Sequence, residues 1–165
     1  MKIVMEKNEA IKKGYTKDNN GRLRRKTVLL SYFEQGYLEL PKSPFKAEKR
    51  KKAGEILARD YYLGNRHNLQ SIKLLESNIP TTGETGIEIS LYYKNRYLEA
   101  MKNIPYEFRE VVFKVCIEDK KIASDTKNSN KNLRYKNFIY YQKMLLTLGL
   151  ERLLKYYLTK NKKSS

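Results

Sequence analysis

Tryptophan is absent from this chain, cysteine and histidine occur once each, and proline occurs only four times. The lone Cys116 excludes a disulfide framework and any cysteine-based zinc site within one chain. It suits a reducing compartment. His67, alone in the stretch GNRHN, reads as a solvent-facing side chain rather than a catalytic one. Long apolar runs are missing too. No stretch reaches the length a bilayer crossing needs, and MKIVMEKNEAIKKGY lacks the unbroken apolar run of a signal peptide. The expectation is a soluble, cytoplasmic protein with no membrane partner.

Signatures of enzymatic chemistry are equally thin. The chain has no P-loop, GxGxxG, HExxH or CxxC spacing. Glu118 and Asp119 are neighbours, so on a helix they point about 100° apart and form no facing pair. Glu107 and Glu110 share a helix face and could together hold Mg²⁺ for a nuclease, but no third ligand accompanies them. The sequence therefore reads as non-enzymatic, with no cofactor and no metal.

Acidic residues are the last scarcity: 18 against 35 lysines and arginines, a net charge of +17. Such an excess favours an anionic partner, whether nucleic acid, an anionic membrane surface or an acidic protein. A merely solubilising lysine-rich surface would look the same. The charge is not evenly spread, however. Residues 119 to 163 hold twelve lysines and arginines against three carboxylates, a net of +9.

What is present is helical periodicity. Residues 1 to 25 read as a flexible basic arm, with TKDNNGRLRR as a loop. KTVLLSYFEQGYL, 26 to 38, spaces Leu29, Leu30 and Phe33 as a short helix that Gly36 can end. Ser43 before Pro44 is a helix start. In AEKRKKAGEILARDYYLGN, Ala53, Ile56, Leu57 and Tyr61 mark one face, and Leu63 and Gly64 are expected to end the helix. Four cations, Lys49 to Lys52, crowd its N-terminus against the macrodipole, which suggests a use beyond solvation. Residues 65 to 88 give no clear pattern, although IPTTGETG reads as a loop. LYYKNRYLEAMKNI, 91 to 104, carries Tyr93, Tyr97, Leu98, Met101 and Ile104 at helical spacing.

NIPYEFREVVFKVCIEDKKI follows. Pro105 suits a first helical turn, and Phe108, Val111, Val112, Val115 and Cys116 form a complete amphipathic stripe. The last helix is expected over 133 to 158, with Phe138, Tyr141, Leu145, Leu148 and Leu153 facing inward, and residues 160 to 165 form a basic tail. The fold class is all-α: a small helical bundle over 26 to 159. Fourteen tyrosines, several in adjacent pairs, serve mostly as core filler, one of each pair facing the core and the other the rim. Tyr135 and Tyr140 stay open as stacking or phosphate-contacting groups.

The order of elements is long helix, proline-started helix, short helix at about 120 to 126, polar turn, long helix. That is the layout of a helix-turn-helix with a leading support helix. Asn128 and Ser129 in the turn are helix-cap types. The next helix would present Lys131, Arg134, Tyr135 and Asn137 early, types suited to phosphates and base edges. Lys120, Lys121 and Lys127 would hold the backbone.

IPYEFREVVFKVCIEDKKIAS is similar to the lead-in of sigma factor region four, as far as Ser124; beyond it, DTKNSN replaces that family's usual small-residue turn. More widely, the chain resembles an uncharacterised bacterial domain family, best known from alphaproteobacteria and helix-turn-helix-related. AGEILARDY, NRYLEAMKNI, VVFKVCIED and LERLLKYY, spread over residues 42 to 158, carry that likeness. A tryptophan common in the family's middle region is absent. Members have no known activity, so the resemblance implies a fold and a regulatory role, not a reaction. The expected function is a DNA-binding transcriptional regulator or accessory factor, with DNA favoured over RNA and RNA polymerase as a further partner. The alternatives are an interaction module for RNA polymerase or another protein, and a structured-RNA binder.

Overall fold

A computed structural model describes residues 15–17, 23–74, 84–122 and 133–163. Two three-residue strands, β1 (Tyr15–Lys17) and β2 (Leu23–Arg25), pair antiparallel with Thr16 opposite Arg24. Five helices follow: α1 (Val28–Glu34), α2 (Ala47–Leu74), α3 (Glu84–Lys102), α4 (Tyr106–Cys116) and α5 (Leu133–Lys163). The architecture is a small helical bundle, as the periodicity predicts, with a short β ribbon in the segment read as an arm.

Packing follows the apolar stripes. α2 lies along α3, and α5 lies against α2 and α4. The innermost layer comprises Leu38, Leu57, Ala100, Ile104, Val112, Leu146, Leu150 and Leu153, all with no solvent exposure. Fully burying such a side chain contributes roughly 1.5–3 kcal/mol. The stripe on α4 behaves as read: Val111, Val112 and Val115 are buried, and Phe108 and Cys116 pack beside them. Glu107 sits in the first turn of α4 and Lys114 in its last, each opposite the helix-end charge that suits it.

Helix ends show how local and distant residues share the capping. Thr27 Oγ1 accepts a hydrogen bond from Leu30 N at 3.2 Å. Val28 N donates to Asp119 Oδ1 at 2.7 Å, across 91 residues of sequence. Asp119 holds φ at 52° to reach it, a conformation Asp tolerates better than most residues. Gly36, at φ 76°, follows α1 as expected.

Several boundaries differ from the sequence reading. Helix α2 begins at Ala47, not at Pro44. The Ser43 hydroxyl is used instead in a tight turn, accepting from Phe45 N at 3.1 Å and donating to Glu151 Oε1 at 2.7 Å. Gly64 does not end α2, which runs on to Leu74. It lies where α2 and α3 approach most closely: a Cβ there would stand 2.7 Å from Lys94 N and 2.8 Å from Lys94 Cα. Helix α3 starts at Glu84, inside the stretch read as a loop. Leu98, named with the apolar residues at helical spacing, is 46% exposed. The short helix expected over 120 to 126 is not seen in its described part, since Lys120, Lys121 and Ile122 are non-helical. The rest of it, and the polar turn with Asn128 and Ser129, lie outside the described residues. The last helix continues through Lys163, past the point where a tail was expected.

Candidate nucleic-acid interface

Helix α5 carries eight lysines and arginines and a single carboxylate, Glu151. The structure removes that carboxylate from the surface. Glu151 is 6% exposed, accepts from Arg50 Nε at 2.7 Å and from Ser43 Oγ at 2.7 Å. Arg50 is itself fully enclosed and donates its remaining nitrogens to Leu38 O at 3.0 Å and Phe45 O at 2.9 Å. One of the four cations crowding the start of α2 thus has a structural use. Lys51 pairs with Glu55 and lies over the Phe33 ring, while Lys49 and Lys52 are exposed.

With Glu151 largely buried, one face of α5 is dominated by cations, of which Lys155 reaches back to Glu151 Oε1 at 4.0 Å. Arg134, Asn137, Tyr141, Met144, Leu148, Arg152, Lys155 and Thr159 follow in steps of three and four, so they share one strip of the helix. All are exposed except Leu148, which is half-buried. From Arg134 to Lys155 the strip is roughly 32 Å long at the α-helical rise. Lys42, Ser43 and Pro44 in the turn before α2 stand beside Arg152 and Lys155. Together with Glu151 they line a cleft of about 350 Å³ floored by Leu40, Phe108 and Leu148.

The first three turns of α5 are more exposed than the rest of the helix. Every described side chain from Arg134 to Met144 is at least partly exposed, and burial begins at Leu145. Phe138 and Tyr141, expected inward, are therefore 53% and 50% exposed, and Tyr140 is 72% exposed. The helical period placed them correctly relative to Leu145, but the contact α1 makes with these turns, Lys143 over the Tyr32 ring at 5.5 Å, lies on another side of the helix.

Of the residues singled out in the sequence, Arg134 and Asn137 fall on the strip. Tyr135 lies on the adjoining side, half-buried, and makes contacts of its own. Lys120 and Lys121 are exposed in the segment after α4. Lys120 stands 3.3 Å from Glu118 and shares a depression with Arg109, Lys114 and Glu110, where both signs of charge meet. Lys127 and Lys131 lie outside the described residues. Lys42, Arg152 and Lys155 were not anticipated, although a signal existed: Arg152 is 18 residues from Arg134, five whole helical turns.

The residues carrying the wider resemblance converge on a different place, the buried seam between α2 and α5. A Cβ on Gly54 would come 2.8 Å from Leu29 Cδ2, 3.0 Å from Cys116 Sγ and 3.1 Å from Leu150 Cδ2. Asp60, fully buried, is held by Arg96 Nε at 3.0 Å and by the Tyr157 hydroxyl at 3.3 Å, both on Oδ2. Its Oδ1 lies 3.5 Å from Arg59 Nη2 and makes no hydrogen bond. Burial pushes the Asp60 carboxyl above its usual range despite the two arginines. Burial also raises the Tyr157 hydroxyl, helped by the adjacent Asp60 charge. Burial pushes the Cys116 thiol up to about 12, so it offers no thiolate at neutral pH. Asp60, Arg96 and Tyr157 tie α2, α3 and α5 together in the bundle.

The paired tyrosines divide unevenly. Tyr61 and Tyr93 are half-buried beside exposed Tyr62 and Tyr92, as the core-and-rim reading expects, but Tyr156 and Tyr157 are both buried. Among the described residues no group of three His, Cys, Asp or Glu is placed to hold a metal ion. No helix among them is long and apolar enough to cross a membrane. Comparison with protein-family models, curated proteins and solved structures finds no match.

Proposed function

We propose that this protein binds nucleic acid through the exposed face of α5, with duplex DNA as its first target and gene regulation as its role. The observation that supports this is the strip from Arg134 to Lys155, exposed and basic, whose helix hides its one carboxylate. An exposed helix face about 10–12 Å across fits a major groove about 12 Å wide. Arg134 and Asn137 are of the types that read guanine and adenine edges. Arg152, Lys155 and Lys42 would hold phosphates, giving affinity and salt dependence.

The test is fluorescence anisotropy with a random duplex, a single strand and a structured RNA, each over a salt series. Duplex binding is expected to be tightest. Arg152→Ala with Lys155→Ala should flatten the slope of log K against log salt by about 1.8, two phosphate contacts at ~0.9 each. Arg134→Ala should weaken any preferred site by roughly 1–3 kcal/mol. Unchanged affinity in both variants would remove this face from the reading. Preference for the single strand would point instead to base stacking on exposed Phe138, Tyr140 and Tyr141.

A further inference from the structure

Helix α3 has an outer face that no described element covers. Glu88, Leu91, Asn95, Leu98 and Lys102 recur in steps of three and four, and every one is exposed. Leu91 is 54% exposed and Leu98 46%, with Tyr92 at 59% alongside. The opposite side of α3 is the buried one: Ser90 donates to Gly64 O at 2.9 Å, and Ala100 is in the core. A pair of exposed leucines one heptad apart, with an asparagine between them, is the pattern of a helix-pairing seam.

We infer that this face pairs with the same face of a second copy, antiparallel, about a two-fold axis at Asn95. The arrangement follows from the spacing. A two-fold interface is self-complementary, so a residue a given distance before Asn95 meets one the same distance after it. Glu88 and Lys102 lie seven residues to either side, and each therefore faces its opposite charge on the other copy. Leu91 and Leu98, four before and three after, lean to the same side of the helix and meet each other, making a four-leucine cluster across the axis. Asn95 meets Asn95 of the second copy, where two side-chain amides can exchange hydrogen bonds. Parallel pairing would set Glu88 against Glu88 and Lys102 against Lys102, so charge selects the antiparallel form. Within one chain Glu88 and Lys102 are about 21 Å apart along the helix and cannot pair. Glu99, also on this side, is bound first by Lys160 at 2.6 Å and the Tyr156 hydroxyl at 3.0 Å, and the Lys102 charge bears on it more weakly, which leaves Lys102 able to meet Glu88 of a second copy. A single helix pair is a small interface, of the weak and transient class.

Sedimentation equilibrium on the full chain without nucleic acid tests this, and its result does not depend on the DNA-binding reading. Self-association is expected at micromolar concentrations. Leu98→Asp should weaken it at least about tenfold. Lys102→Glu should weaken it about fivefold, and Glu88→Lys with Lys102→Glu should restore it to within about twofold. All of these side chains are exposed, so the variants keep the fold, which far-ultraviolet circular dichroism verifies. A wild type that stays monomeric up to about 200 μM overturns the proposal, as does a Leu98→Asp variant that associates like the wild type. A charge swap that fails to restore association overturns the antiparallel register.

Discussion

Arg50 and Asp60 sit three turns apart on α2, and each is a charge that the bundle encloses completely. Arg50 has a full set of partners, whereas Asp60 keeps one carboxylate oxygen without a hydrogen bond. The two residues should therefore respond differently to change. Arg50→Ala strands the Glu151 carboxylate and should cost roughly 3–5 kcal/mol in urea unfolding, while Met at both positions should recover most of the loss. Asp60 has its effect through pH. Its carboxyl is raised in the folded state, so the native protein holds that proton more tightly than the unfolded chain does. Stability from this residue is thus gained as pH falls through the folded value, and lost as pH rises. Thermal melts of wild type and Asp60→Asn should converge in acid relative to their difference at pH 7 if Asp60 is the source.

The helices record where a periodic sequence is a reliable guide. The stripe on α4 could be read directly, because each of its apolar residues meets another helix. The same periodicity on α5 put Phe138 and Tyr141 inside, and there it failed, since inwardness requires a neighbour as well as a phase. Gly64 misled for a related reason. Glycine after an apolar run often ends a helix, but here it lets two backbones touch, a role visible only once α3 is in place. Gly64→Ala should accordingly destabilise by about 1–3 kcal/mol, despite alanine's better helix propensity. Urea titration at constant m-value would show it. A neutral or stabilising change would mean that α2 and α3 can separate at little cost. Of the interface, the sequence disclosed Arg134 and Asn137. It concealed the Lys42 cleft, which depends on a turn about 110 residues away in sequence, and the burial of Glu151, which depends on Arg50.

At the scale of the whole chain, distant pairs dominate. Val28 is capped by Asp119, Arg50 is matched by Glu151, and Asp60 is met by Tyr157. The carboxylate that matches Arg50 lies on α5, the last of the described elements to be synthesised, whereas Asp60 is met by Arg96 on α3 as well as by Tyr157 on α5. Until Glu151 has been made, the earlier helices can collapse on one another only by leaving Arg50 in an apolar interior without its carboxylate. Such a state is unfavourable by several kcal/mol. On the ribosome, then, the seam around Arg50 stays incomplete until Glu151 has emerged. Full burial of α2 is therefore expected only once α5 has cleared the exit tunnel, and chains stopped before Glu151 should leave α2 open to proteolysis.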